Sequence, residues 1–278
     1  MVSPQLIALD MDGTLLDGES KIPESFWPLL ERAEELGVVI APASGRQLAT
    51  LQHQFGQGLS FIAENGTAIA HKGEIIHVSV LPDDAVLRIL DALQDVNVNH
   101  DVVLCTPTVG YVAEDANPDT FVQLEKYYYS RQTVKDLRAM VKDSDIIKVA
   151  IYCAAGSEEH IAPVIFKAIP DHNVAISGKE WLDIMPAGAN KGAALHHMAD
   201  TLGIDIAATA AFGDYLNDYE LLQEAGTAVA MDNAHPQLKA VADIIAPSNL
   251  DHGVITVLSD WFDAMDNAQD ASVHQPEL

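Results

Sequence analysis

Basic residues are scarce in this chain: Lys and Arg number 15 against 41 Asp and Glu, giving a formal net charge of −26 at neutral pH. A surface of that sign repels polyanions, which argues against nucleic acid and against anionic membranes as partners. Cysteine is rare too. Cys105 and Cys153 are the only two, far apart and without a CxxC pair or a His cluster. That spacing reads as two reduced thiols of a cytoplasmic fold, not a disulfide or zinc site. Long apolar runs are missing, since no stretch approaches the roughly 18 uninterrupted apolar residues of a membrane helix. The opening "MVSPQLIALDMDG" has no basic start and carries acids inside its short apolar run, unlike a secretory signal.

What remains is a composition of soluble globular type, 49% hydrophobic and 20% charged, on 278 residues, enough for two domains. The shortage of positive charge has a chemical consequence. Any small anionic substrate would need local positive charge from a metal ion, a lysine, or N–H groups at a helix start.

Strand and helix patterns alternate from the beginning. "QLIALD" reads as a β run, "ESFWPLLERAEEL" has helical spacing, "GVVIAPAS" is again β, "GRQLATLQHQF" helical, and "LSFIAENG" ends another strand. That order predicts a parallel, doubly wound sheet. Residues 66–81 instead read as a hairpin about Lys72-Gly73. After Pro82 the pattern changes to paired β runs with helices between them, an α+β insert with a largely antiparallel sheet. From "NKGAALHHMADTLGI" the first pattern resumes. The expected organisation is an α/β core of mostly parallel strands at 1–81 and 187–278, with an α+β domain inserted at 82–186. The stretch after Met265 reads as a polar, loose tail.

The polar clusters fall at strand ends, where open α/β sheets bind ligands. Asp10 and Asp12 close the first strand, Ser44-Gly45-Arg46 the second, Glu64-Asn65-Gly66 the third, and Gly213-Asp214 a late one. Side chains two apart on a strand face the same way, so Asp10 and Asp12 converge if the strand persists that far. Convergent carboxylates repel unless one is protonated or a cation lies between them. With Asp214 and Asp218 added, hard oxygen ligands describe a Mg2+ site. Taken one at a time, Asp12 and Asp17 also suit turns and Asp214 suits a helix N-cap. Ser44 at the start of "GRQLATLQ" pairs a hydroxyl with helix N–H groups, a phosphate site or a plain N-cap. Lys191 lies in the first turn of a helix, the wrong end of the dipole for a cation, which points to function beside an anion site. A solvated surface lysine is its other reading.

"DMDGTL", "ASGR", "NKG" and "GDYLND" resemble, in order and spacing, the four motifs of the haloacid dehalogenase-like phosphohydrolases. The insert, "ENG" and "AVAMDNAHPQLKAVAD" are similar to the Cof-type branch with a C2 cap, subclass IIB. The resemblance spans almost the entire chain. It implies a Mg2+-dependent phosphatase for small phosphate monoesters, such as sugar phosphates or related metabolites. In that family pattern Asp10 is the nucleophile that forms an aspartyl-phosphate. Asp12 is the acid and base, its backbone carbonyl binding metal. Asp10 and Asp214 are side-chain metal ligands, with Asp218 beside them. The N–H groups of Met11 and Gly45, with Ser44, Lys191 and Asn217, hold phosphoryl oxygens, and Arg46 touches substrate. The family usually has glycine where this chain has Asp232; Asn233 matches it.

Two other functions use similar residues. A phosphomutase shares the aspartyl-phosphate but returns the phosphoryl group to a sugar. A phospho-accepting receiver module also has strand-end acids and a lysine, but has no use for an acid/base two residues after the nucleophile. In the insert, "EKYYYSR" at 125–131 reads as a helical stretch whose tyrosines pack or offer stacking surface, and Trp181 reads as core. His196 and His197 have no spaced partners and read as structural or exposed.

Overall fold

A computed structural model describes residues 3–273, and these form two compact units: the chain up to Ala43 together with the chain from Lys191, and Ser44–Asn190. The first unit opens with β1 (Leu6–Asp10), in which all five residues are buried. Such an unbroken apolar run suits a central parallel strand covered on both faces. The helix α1 (Phe26–Glu35) buries Phe26, Leu29 and Ala33, one stripe of its surface, and leads into β2 (Val39–Ala43). β2 lies parallel to β1, from Leu6 opposite Val39 to Asp10 opposite Ala43.

In the second unit α2 (Leu48–Phe55) precedes β3 (Phe61–Ala63), β4 (Ala68–His71) and β5 (Glu74–Val78), which pair antiparallel in succession. The β4–β5 turn is the expected one. Lys72 and Gly73 stand at φ +48° and +87°, the two positive values of a tight primed hairpin turn.

Then follow α3 (Asp83–Leu93), β6 (Asp101–Cys105), β7 (Gly110–Ala113), α4 (Pro118–Tyr127), β8 (Arg131–Val134), α5 (Leu137–Asp143) and β9 (Lys148–Tyr152). The unit ends with α6 (Ser157–His160), α7 (Ala162–Ala168), β10 (Asn173–Ile176) and β11 (Trp181–Met185). The order β10-β11-β9-β6-β7-β8 makes a six-stranded sheet, antiparallel except for the β7–β8 pair. Val86 and Ile89 of α3 and Ile165 of α7 pack with Leu104, Val149 and Ile151 of the sheet into its core.

Two elements here went unseen in the sequence. The helix of the tyrosine-bearing stretch stops at Tyr127, and β8 and α5 follow it. Neither short segment carries enough periodicity to announce itself. Tyr128 is buried while Tyr129 is exposed. Trp181 is half-buried, with its ring against Tyr152 at 5.2 Å and Tyr127 and Tyr128 at 6.2 Å.

The segment 44–81 and the expected insert 82–186 belong to one compact unit, and specific bonds join them. Gln47 Nε2 donates to the Ser130 carbonyl at 2.7 Å and its Oε1 accepts from Ser130 N at 2.9 Å. Thr50 Oγ1 donates to the Tyr127 carbonyl at 2.9 Å and accepts from Tyr129 N at 3.1 Å. The His53 ring stacks on Tyr129 at 4.1 Å.

The chain then completes the first unit with α8 (Lys191–Leu202), β12 (Thr209–Gly213), α9 (Tyr219–Glu224), β13 (Thr227–Met231), α10 (Pro236–Val241), β14 (Ile244–Ala246) and α11 (Gly253–Val273). Its strands run in the order β14-β13-β12-β1-β2, all parallel. Leu9 lies opposite Phe212, so β1 and β12 present their carboxyl ends, and Asp10 and Asp214, side by side. The stretch after Met265, expected to be loose, is helical as far as Val273; residues 274–278 lie outside the described region. No helix among the described residues is long and apolar enough to cross a membrane.

Candidate active site

β1 ends at Asp10, so the strand does not persist to Asp12 as the shared-face reading required. Asp12 keeps an extended backbone, φ −77° and ψ 116°, and Gly13 then turns the chain at φ +83°. A Cβ at Gly13 would lie 2.3 Å from Asp214 Oδ2. Glycine is therefore required both for the left-handed backbone and for the room it leaves the carboxylate. Burial separates the two acids: Asp10 is 5% exposed, whereas Asp12 faces solvent.

Lys191 is the first residue of α8 and is 1% exposed, which rules out the solvated surface lysine. Its Nζ donates to Asp10 Oδ1 and to Asp218 Oδ1, each at 2.6 Å. Asp218 is wholly buried, and its Oδ2 accepts from the backbone N of Asp214 at 3.2 Å. It sits so close beneath β12 that a Cβ at Gly213 would meet its own Cβ at 2.6 Å. Asp214 is half-buried and precedes a short turn instead of capping a helix.

Asp10, Asp214 and Asp218 each offer an oxygen within 4.8 Å of the others. Burial, then the charge of Asp218, pushes Asp10 up to about 8, with Lys191 opposing. Burial, again followed by Asp218, pushes Asp214 up to about 6. Burial would lower the Lys191 ammonium, but Asp10 and Asp218 more than reverse that and raise it. With all three acids ionised, three carboxylates against one lysine leave an excess of two negative charges. A divalent cation bound by hard oxygens balances that excess, so the residues present fit Mg2+.

Asn233 secures the turn that carries these groups. Its Nδ2 donates to the Gly13 carbonyl at 2.8 Å and reaches Asp214 Oδ2 at 3.5 Å, while its Oδ1 accepts from Asn249 N at 3.1 Å. Beyond the match to the family, no local pattern marks this role. Asp232 beside it is not among the residues with positive φ, so this turn makes no demand for glycine, and Asp232 pairs with Lys239 at 3.0 Å. Asn217 is exposed, next to Asp218. His196 pairs at the surface with Glu224 at 2.6 Å.

In the second unit, Ser44-Gly45-Arg46 forms a loop, and the helix expected to open there starts at Leu48. Ser44 is therefore not an N-cap. Its Oγ accepts from Arg46 N at 3.2 Å. The loop runs against the Glu64-Asn65 turn, where Glu64 and Asn65 stand at φ +52° and +57°. Each non-glycine residue so placed costs roughly 1–3 kcal/mol and persists only where its surroundings hold it. Here the holder is a buried ion cluster: Lys148 pairs with Glu64 and lies 3.9 Å from Asp183, while Asn65 Nδ2 donates to Asp183 Oδ2 at 3.2 Å. Burial, opposed by Lys148, raises the Glu64 carboxyl. Lys148 had no motif to mark it in the sequence.

These carboxyl-end acids, their lysine and the glycine turn are a family's signature. The haloacid dehalogenase-like hydrolase profile matches residues 7–258. The HMP-PP phosphatase of Escherichia coli is 30% identical over 247 residues, 85% of this chain and 87% of that one. A solved structure from Eubacterium rectale is 28% identical, covers 93% of this chain and 99% of its own, and superposes with a TM-score of 0.83. The subclass IIB sugar phosphatase BT4131 shares the fold at a TM-score of 0.77 and 22% identity, covering 92% of this chain and 98% of its own. The chain belongs to the haloacid dehalogenase-like hydrolases. It is an enzyme, of their phosphatase class.

Proposed function

We propose that this enzyme hydrolyses small phosphate monoesters, sugar phosphates or related metabolites, through a phosphoryl group carried on Asp10, with Mg2+ as cofactor. The observation that supports it best is the buried Lys191 ammonium 2.6 Å from both Asp10 and Asp218, with Asp214 in the same acid group. Asp10, Asp214 and the Asp12 carbonyl would hold Mg2+, with Asp218 supporting them. The metal supplies charge neutralisation to the site and to the phosphoryl oxygens.

The chain's own residues divide the reaction in two. The ionised Asp10 carboxylate attacks phosphorus, and the bond to the ester oxygen breaks. Asp12 gives its proton to the departing alkoxide. Asp12, now a carboxylate, takes a proton from water, whose oxygen attacks the same phosphorus and releases Asp10 and inorganic phosphate. An exposed Asp12 suits both halves, since it can reach the leaving group and exchange protons with solvent. Lys191 opposes negative charge on the phosphoryl oxygens. By family motif, Ser44, the N–H groups of Met11 and Gly45, and Asn217 hold those oxygens, and Arg46 contacts the substrate. The 82–186 domain is the cap that selects substrate.

The test is phosphate release from a panel of sugar phosphates, HMP-PP (the compound named for the relative) and p-nitrophenyl phosphate. Each is run with Mg2+, with chelator, and with Asp10→Asn. Release that requires both Mg2+ and Asp10 is expected. Release that survives Asp10→Asn would refute the covalent route.

A further inference from the structure

We propose that Lys148, a buried residue of β9, is a positioning residue that shapes the Ser44-Gly45-Arg46 loop for phosphate. The inference rests on the phosphatase reading above and extends it to a side chain of the 82–186 segment. Three successive carbonyls of the loop are each held by a different donor. The Ser44 carbonyl accepts from Asn65 N at 3.0 Å, the Gly45 carbonyl from Lys148 Nζ at 3.1 Å, and the Arg46 carbonyl from Glu64 N at 3.0 Å. A trans peptide is planar, with its C=O and N–H opposed. Fixing each carbonyl therefore aims the next residue's N–H the other way. The Asn65 bond sets the Gly45 N–H, and the Lys148 bond sets the Arg46 N–H.

That second N–H donates to Ser44 Oγ at 3.2 Å. The Ser44 hydroxyl, held as an acceptor, keeps its own proton to donate to a phosphoryl oxygen. The chain of effect runs from the Lys148 ammonium through one peptide plane to the hydroxyl that binds substrate. An ammonium has three protons to give; Lys148 donates to the Gly45 carbonyl and pairs with Glu64, with the Asp183 carboxylate 3.9 Å away. Asn65 takes its place from the same cluster, through Asp183. A Cβ on Gly45 would lie 2.9 Å from Asn65 Oδ1, so loop and turn are fitted closely.

Stability alone does not account for the cluster, because a buried ion pair is often replaced by apolar side chains at no loss. What an apolar replacement would not supply is the donor to the Gly45 carbonyl.

The test uses the full chain carrying Lys148→Met together with Glu64→Gln, which removes both charges and leaves Glu64 no unpaired anion. Binding of inorganic phosphate by titration calorimetry should weaken by about 10- to 100-fold, the range for residues that orient a ligand's direct contacts. KM for p-nitrophenyl phosphate should rise to match, while Mg2+ affinity stays unchanged. Glu64→Gln alone, which keeps the Lys148 donor, should retain phosphate binding. Unchanged phosphate affinity in the double variant overturns the proposal. So does loss of phosphate and Mg2+ binding in parallel with thermal stability, which marks a merely structural role. If the double variant does not fold, Lys148→Gln combined with Glu64→Gln, whose shorter amide side chain draws the donor back from Gly45, is read by the same criteria. A native protein that binds phosphate but cleaves no phosphate ester defeats the phosphatase reading and leaves this proposal standing. One that binds no phosphate defeats this proposal.

Discussion

The Lys191 ammonium and the Asp10 carboxylate meet at 2.6 Å from positions 181 residues apart in the chain, both buried. The same ammonium holds Asp218 at 2.6 Å, so it is the one cation shared by two buried acids. Lys191→Met strands both. Removing one partner of a buried pair costs about 3–5 kcal/mol, and a loss of that size is expected in urea unfolding without metal. Added Mg2+ should recover part of it. Turnover should fall by about 10²- to 10³-fold, as when a donor to developing charge is deleted. A stability loss below about 1 kcal/mol, the range of an exposed pair, would show that Lys191 is not the counter-charge.

The acid cluster also sets how stability responds to pH. Asp10, at about 8, and Asp214, at about 6, both stand above their ordinary value of 3.8. Between about pH 4 and 8 the folded metal-free protein binds more protons than the unfolded chain, so these two acids make stability fall as pH rises. On the proposed reading, Mg2+ would take the place of the protons that are lost. Thermal unfolding should therefore show a large Mg2+-induced rise in Tm at pH 8 and little at pH 5. Equal rises at both pH values would contradict the assignment of the ion to these carboxylates.

Asn233 acts on the same site without belonging to the acid group. Its amide holds the Gly13 carbonyl at 2.8 Å and reaches Asp214 at 3.5 Å. Truncation to alanine frees both. Asn233→Ala should weaken Mg2+ binding by about 10- to 100-fold, as loss of a ligand's hydrogen-bonded support does. Asn233 is exposed, so metal-free stability should change little. Calorimetric titration of Mg2+ beside a melting curve separates the two.

How much of this the sequence disclosed follows from the range of each interaction. β1, β12 and their terminal acids were legible because an apolar run ending in Asp is a local signal, and so was the Lys72-Gly73 turn. The position of Lys191 at a helix start was legible, and burial then settled its role. β8 and α5 left no pattern because four strand residues and seven helix residues span only about two periods each. The start of α2 differs from the sequence reading because Gly45 and Arg46 suit a first turn, while the carbonyls of Ser44, Gly45 and Arg46 are taken by Asn65, Lys148 and Glu64. Those donors lie up to 103 residues away. Lys148 itself was invisible, since a lysine in a strand reads as surface until the acids around it are known.

Asp232 stands where the family usually has glycine, and the backbone there makes no demand for one. Glycine would matter there if the backbone required positive φ, but Asp232 is not among the residues that have it. Its carboxylate is exposed and pairs with Lys239 at 3.0 Å, an interaction of the kind worth about 0–1 kcal/mol. Asp232→Gly loses that pair and gains unfolded-chain entropy, so it should destabilise by about 1 kcal/mol. Because Asn233 keeps its bonds to Gly13 and Asn249, kcat should stay as it is. A substantial rise in kcat/KM for anionic substrates, with kcat unchanged, would show instead that the Asp232 charge filters what reaches the site. A fall in kcat would show that this aspartate helps to hold Asn233 in place.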